Sequence, residues 1–187
     1  MRALRSTLPL LAAPFLSLHA QDSSHTTIGG YGEVSYANLS GPNSPGRANL
    51  ARFVIYLAHS FNGKFALRSE LEVEGARVEV GNPGGEVAVE QVYLDYRASG
   101  DLTLRTGLIL APVGILNEMH EPTTYNGVAR PAFDTDLLPT TWREIGLGAL
   151  GSVPGVQGLS YRAYLLNGLR PEGFRAAQGL RGGRGEG

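Results

Sequence analysis

The sequence predicts an all-β protein whose long antiparallel strands form the wall of a transmembrane β-barrel. Three observations carry that reading. Several alternating runs reach or exceed the roughly 9 to 11 residues that a tilted strand needs to cross a bilayer, longer than the usual soluble strand. The connections alternate between loop and tight turn, the rhythm of a barrel with short turns on one side and long loops on the other. Residues 1–20 read as an export signal peptide: Arg2 and Arg5, a short apolar run over 8–18, then Leu18-His19-Ala20 before Gln21. The mature chain is expected over 21–187. A soluble sandwich also satisfies the alternation, since period 2 demands only one dry face.

Composition narrows the function. With 16 basic and 17 acidic residues among 187, the chain lacks the basic excess of a nucleic-acid binder. It has no cysteine, so an exported fold must rest on backbone pairing and burial. After the leader no apolar run approaches a spanning helix, so a membrane location requires strands.

The first strand is expected over 27–38, with Tyr31, Val34 and Tyr36; Gly41, Pro42, Asn43, Pro45 and Gly46 then mark a loop. The second, 49–61, sets Phe53, Ile55, Leu57 and Phe61 against Arg52, Tyr56 and Ser60. Asn62-Gly63 is a strong hairpin signal because both residues tolerate positive φ. The third, 64–80, sets Phe65, Leu67, Leu71 and Val73 against Lys64, Arg68, Glu70, Glu72 and Glu74. Gly81, Asn82 and Pro83 break it. The fourth, 86–98, sets Val92, Leu94 and Tyr96 against Gln91, Tyr93 and Asp95, and Ser99-Gly100-Asp101 turns into the fifth, 102–110, where Leu102, Leu104, Leu108 and Leu110 oppose Thr103 and Arg105.

Residues 111–140 form a long loop, because Pro112, Pro122, Pro131 and Pro139 each remove a backbone donor and fix φ. Loops of this length usually serve as lids, binding loops or plugs. A glycine-rich sixth strand, 141–153, alternates Ile145, Leu147 and Ala149 with Glu144, Gly146 and Gly148. The seventh, 159–167, sets Tyr161, Ala163 and Leu165 against Ser160, Arg162 and Tyr164, and loop is expected from Gly168 on.

Gly30-Tyr31-Gly32-Glu33-Val34, Arg52-Phe53, the run from Val89-Glu90-Gln91 through Val92-Tyr93-Leu94-Asp95-Tyr96, Ala111-Pro112-Val113-Gly114, Asn117-Glu118-Met119-His120-Glu121-Pro122 and Leu138-Pro139-Thr140-Thr141-Trp142-Arg143-Glu144 together resemble outer-membrane porins of Gram-negative bacteria, most closely the phosphate-selective porin O and P family. The resemblance implies a barrel of the 16-stranded porin type, of which this chain holds about the first seven strands, so it is expected to be the N-terminal portion of one. It implies an outer-membrane location, lipid around the wall, a homotrimer, and passive diffusion of small hydrophilic solutes or ions. The loop after the fifth strand would fold inward and narrow the pore; at about 3.3 Å per residue it reaches roughly 45 Å out and back. The constriction residues are then Glu118, His120, Glu121, Tyr125, Arg130, Asp134 and Asp136, and the lumen wall carries Lys64, Arg68, Glu70, Glu72, Tyr93, Asp95, Arg105 and Glu144. Clustered basic residues for an anion are not evident, so weak selectivity is expected rather than phosphate specificity.

The other chemistries find less support. Glu118, His120 and Glu121 are of metal-ligating type, but adjacent residues on a loop do not form a closed site without help and no His-Glu-x-x-His pair is present, so no metal is expected. Asp134 and Asp136 fit a cavity-lining or capping role better than an acid–base pair. No nucleophile elbow is present, no cofactor is implied, and the chain does not read as an enzyme. Gly29-Gly30-Tyr31-Gly32 fits strand curvature rather than phosphate binding. The tyrosines and Trp142 fit interfacial girdles or core packing equally. The alternative function is a secreted or periplasmic all-β protein whose long loop closes over a sugar-like ligand. The two readings differ in where Phe65, Leu67, Leu71, Val73, Leu102, Leu104 and Leu108 point: outward to lipid, or inward to a core.

Overall fold

The computed structural model of the chain describes residues 6–7, 16–18, 24–37, 46–75, 84–124, 126–127, 130–138 and 141–184. They form one antiparallel sheet. Two short strands, β1 (Ser6–Thr7) and β2 (Leu16–Leu18), pair with β3 (His25–Ala37). From β3 the sheet runs in sequence order through β4 (Arg47–Ser60), β5 (Phe65–Glu74), β6 (Glu86–Arg97), β7 (Thr103–Leu110), β8 (Arg143–Ser152) and β9 (Ser160–Leu166). Strands β3 to β9 are the seven expected from the alternation, with most ends displaced by one or two residues. The main exception is β5, which stops at Glu74, where Gly75 turns out of the ladder at φ 57°; residues 76–80 of that expected strand lie outside the described residues, as does most of the expected leader.

The Asn62-Gly63 hairpin forms by a different device from the expected one. Gly63 does not take a positive φ; the Asn62 side chain instead accepts hydrogen bonds from the backbone N–H groups of Lys64 (2.8 Å) and Phe65 (2.9 Å). An asparagine that closes a turn through its own oxygen needs no left-handed residue. Bulges interrupt the ladder between Glu33 and Val34 and between Glu70 and Leu71. At the second, Glu70 faces Gln91 while Leu71 faces Val89, leaving Glu90 as the extra residue, a device that re-aims side chains.

Register sorts the side chains into two faces. Ile55, Leu71 and Val89 align across three strands, as do Phe53, Val73 and Val87. This face is uncovered: Phe53, Ile55, Leu71, Val87, Val89, Leu104, Ile145, Leu147 and Leu165 are all exposed. On the opposite face Val54 aligns with Glu72, and Tyr56 with Glu70 and Gln91. Here burial is deep, with Val54 at 0%, Glu70 at 1% and Glu144 at 1% exposure. The molecule is therefore inverted relative to a water-soluble sandwich, because its charged face is the covered one.

The expected closed barrel is an open sheet over these strands. Among the described residues strand β9 pairs with β8 alone, and no pairing joins it back to β3. Closure requires both edges to meet with a consistent stagger, which these strands do not supply among themselves.

Candidate functional site

The loop after β7 folds back onto the charged face, and one side chain latches it. The Asn117 amide donates to the carbonyls of Ala111 (2.6 Å) and Trp142 (2.8 Å), and its oxygen accepts from the Trp142 N–H (2.7 Å). The two ends of the loop also meet directly, Ala111 N donating to Trp142 O at 3.0 Å. Asn117 is buried, as a side chain with all its partners met can be. Beyond the latch the chain turns through a short π-helical segment, Phe133–Leu137, started by bonds from the N–H groups of Asp134 and Thr135 to Pro131 O. This single turn departs from the expected absence of helix; Pro131 is tolerated because it precedes the turn and lends only its carbonyl.

His120 and Glu121 descend from this loop to the wall. His120 Nε2 lies 3.7 Å from Glu70 Oε1 on β5 and 3.6 Å from Glu121 Oε1, and its Nδ1 is 3.2 Å from Asn117 O. Tyr31 on β3 donates its hydroxyl to Glu121 Oε2. Gln91 on β6 donates to Glu70 Oε2 at 2.7 Å. Arg130, from farther along the loop, donates to His120 O at 2.8 Å. Burial pushes the Glu121 carboxyl up to about 7, with Arg130 pulling it the other way.

The other residues expected at the constriction are scattered. Glu118 is exposed and pairs with Arg162 of β9 at 2.6 Å, well apart from its sequence neighbours. Asp134 is buried in the π-turn and Asp136 is exposed beside it; neither caps the turn with its side chain. Tyr125 lies outside the described residues. Along the wall, Lys64 and Arg68 are exposed. Arg105 pairs with Asp95 through two bonds of 2.7 and 3.0 Å, and its guanidinium carbon stacks 3.8 Å over the Tyr93 ring. Glu144 accepts from Trp142 Nε1 at 2.9 Å. Glu70, Glu72 and Glu144 are buried on the charged face.

Four participants were not foreseen. Arg52 is the hub of an ion-pair ladder, 2.9 Å from Glu33, 3.0 Å from Glu72 and 3.7 Å from Glu74. Its parity with Glu72 and Glu74 across the hairpin was a usable signal. Tyr31, Gln91 and Asn117 carried no local signal, because their partners lie 90, 21 and 25 residues away, on the loop, on another strand and at the loop's far end.

No protein-family model matches the chain, and no solved structure matches it. A protein of Aquifex aeolicus, described only as an uncharacterized protein, is 44% identical over 146 residues, which are 78% of this chain and 33% of the relative. The matched segment spans about a third of the relative's length, and the likeness assigns no activity.

Proposed function

We propose that this sheet is part of a Gram-negative outer-membrane β-barrel of the porin type, through which small hydrophilic solutes or ions diffuse passively, and that the loop over 111–142 narrows its pore. The observation that carries the reading is the inverted polarity of the sheet. A soluble ligand-binding sandwich needs Leu71, Leu104 and their neighbours in a core. They lie on the bare face, while Glu70, Glu144 and His120 are buried under the loop. That arrangement suits a wall with lipid on one side and a polar lumen on the other. Among the described residues no helix is long and apolar enough to cross a membrane, so the spanning elements of this reading are strands.

Around the loop the wall carries both signs: Glu33, Glu70, Glu72, Glu74, Glu90, Asp95 and Glu144 stand beside Arg52, Lys64, Arg68 and Arg105, and Arg130, Arg143, Arg181 and Arg184 gather at the loop's end. With both signs of charge along the wall and loop, ion selectivity is weak and phosphate is not favoured. The test is a reversal-potential measurement on the full-length gene product in a planar bilayer. A small potential supports the reading. A strong preference for phosphate contradicts the selectivity, and absence of conductance contradicts the channel.

A further inference from the structure

Where the loop meets the wall, three side chains from distant parts of the chain turn one atom each toward a common point. Glu70 Oε1, His120 Nε2 and Glu121 Oε1 all lie within 4.8 Å of one another. Each belongs to a side chain whose other polar atom is already held. Gln91 donates to Glu70 Oε2, Tyr31 donates to Glu121 Oε2, and Asn117 O faces His120 Nδ1. The three converging atoms are themselves buried and have no hydrogen-bond partner. Glu70 and His120 side chains are only 1% and 2% exposed.

Such a cluster is costly as it stands. A buried acceptor without a donor has given up its hydration for nothing in return, and the loss is larger when the group is charged. The three atoms do not satisfy one another, since 3.6 and 3.7 Å are too long for hydrogen bonds. With Nδ1–H given to the Asn117 carbonyl, His120 carries its free lone pair on Nε2, the form that ligates metals. Carboxylate and imidazole are donors for zinc-like ions, and tetrahedral bonds of about 2.0–2.1 Å set ligand atoms about 3.3 Å apart, a few tenths of an ångström inside the 3.7 and 3.6 Å that separate His120 Nε2 from the Glu70 and Glu121 oxygens.

We infer that Glu70, His120 and Glu121 form a binding site for one divalent transition-metal ion of the zinc type, which ties the loop to strand β5. The ion neutralises two buried carboxylates and satisfies all three orphan atoms together. Three protein ligands leave a fourth position to water. The bulge beside Glu70 and the latch at Asn117 then acquire a shared purpose, since each fixes one ligand's direction. Adjacent Glu118, His120 and Glu121 close no site on their own; the third ligand is Glu70, from the wall, and Glu118 is turned away to Arg162.

The test uses the full-length protein without an affinity tag, folded in detergent, stripped with EDTA and titrated with Zn²⁺ against a chromophoric chelator. One equivalent per chain is expected. Glu70→Gln, His120→Ala and Glu121→Gln each weaken binding by more than the roughly 10–100-fold typical of losing an outer hydrogen-bond partner, while Glu118→Gln leaves it unchanged. Absence of stoichiometric binding at micromolar Zn²⁺ to folded protein overturns the site, as does undiminished binding in the three variants. X-ray absorption of the zinc-loaded wild type gives a reading that needs no variant to fold. One imidazole with carboxylate oxygens supports the site; two or more imidazoles, or water oxygens alone, overturn it. Neither measurement requires conductance, so failure of the metal site and failure of the channel are separate results.

Discussion

Asn117 holds the loop closed with one amide, and its removal is the clearest test at the scale of a residue. Asn117→Ala deletes three hydrogen bonds and leaves the Trp142 N–H without its partner, while the Ala111 and Trp142 carbonyls keep other donors, a loss of about 1–3 kcal/mol. The Ala111-to-Trp142 backbone bond survives, so the sheet should persist while the loop opens. Limited proteolysis should cut within 111–142 in the variant and spare the parent; equal cutting contradicts the latch. Glu121 gives a second test. Burial pushes its folded carboxyl up to about 7, above the 4.5 of a free glutamate side chain, so the folded state holds the proton where the unfolded chain has released it. That contribution is fully present below about 4.5 and is lost as pH rises through about 7. With EDTA present, loop docking, read from the fluorescence of Trp142, the single tryptophan, weakens between about pH 5 and 8. In Glu121→Gln the change disappears.

Among the elements, the sheet makes the sharpest distinction between lipid and water. Leu71 lies in mid-strand on the bare face. If that face meets lipid, Leu71→Arg costs about 2–4 kcal/mol near the membrane midplane. If it meets water, an exposed substitution stays within about 0.5 kcal/mol. Urea unfolding of the membrane-inserted and detergent-folded protein separates the two. Glycine in β7 has a packing reason: Gly107 sits at φ 139°, and a Cβ there would lie 2.2 Å from Val92 O and 2.7 Å from Tyr93 Cα. Gly107→Val should therefore disrupt the β6–β7 pairing, seen as lost protection of those amides from hydrogen exchange; retained protection contradicts the close fit. These strands were legible in the sequence because period 2 persists through each run. Leu71 between Glu70 and Glu72 declares two faces as soon as it is read. Which face is covered was not legible, because that depends on where the loop lands, and the Glu70-to-His120 contact joins positions 50 residues apart. The hairpin at Asn62 was legible, but not its mechanism, since an asparagine serves equally by adopting positive φ or by lending its side-chain oxygen.

For the whole molecule the open edge is decisive. Among the described residues strand β9 has one neighbour, and an unpaired strand in hydrocarbon leaves backbone groups costing several kcal/mol each. In water the same edge is a template for pairing with another chain. The channel reading therefore requires further strands to pair with both edges. The relative, of which the matched segment covers 33%, is long enough to carry them. The most direct measurement is single-channel conductance of the full-length gene product in a planar bilayer, with and without residues 111–140. A pore narrowed by this loop gives stepwise, long-lived conductance whose steps grow when the loop is deleted. A folded protein that stays in aqueous solution and gives no conductance would contradict it.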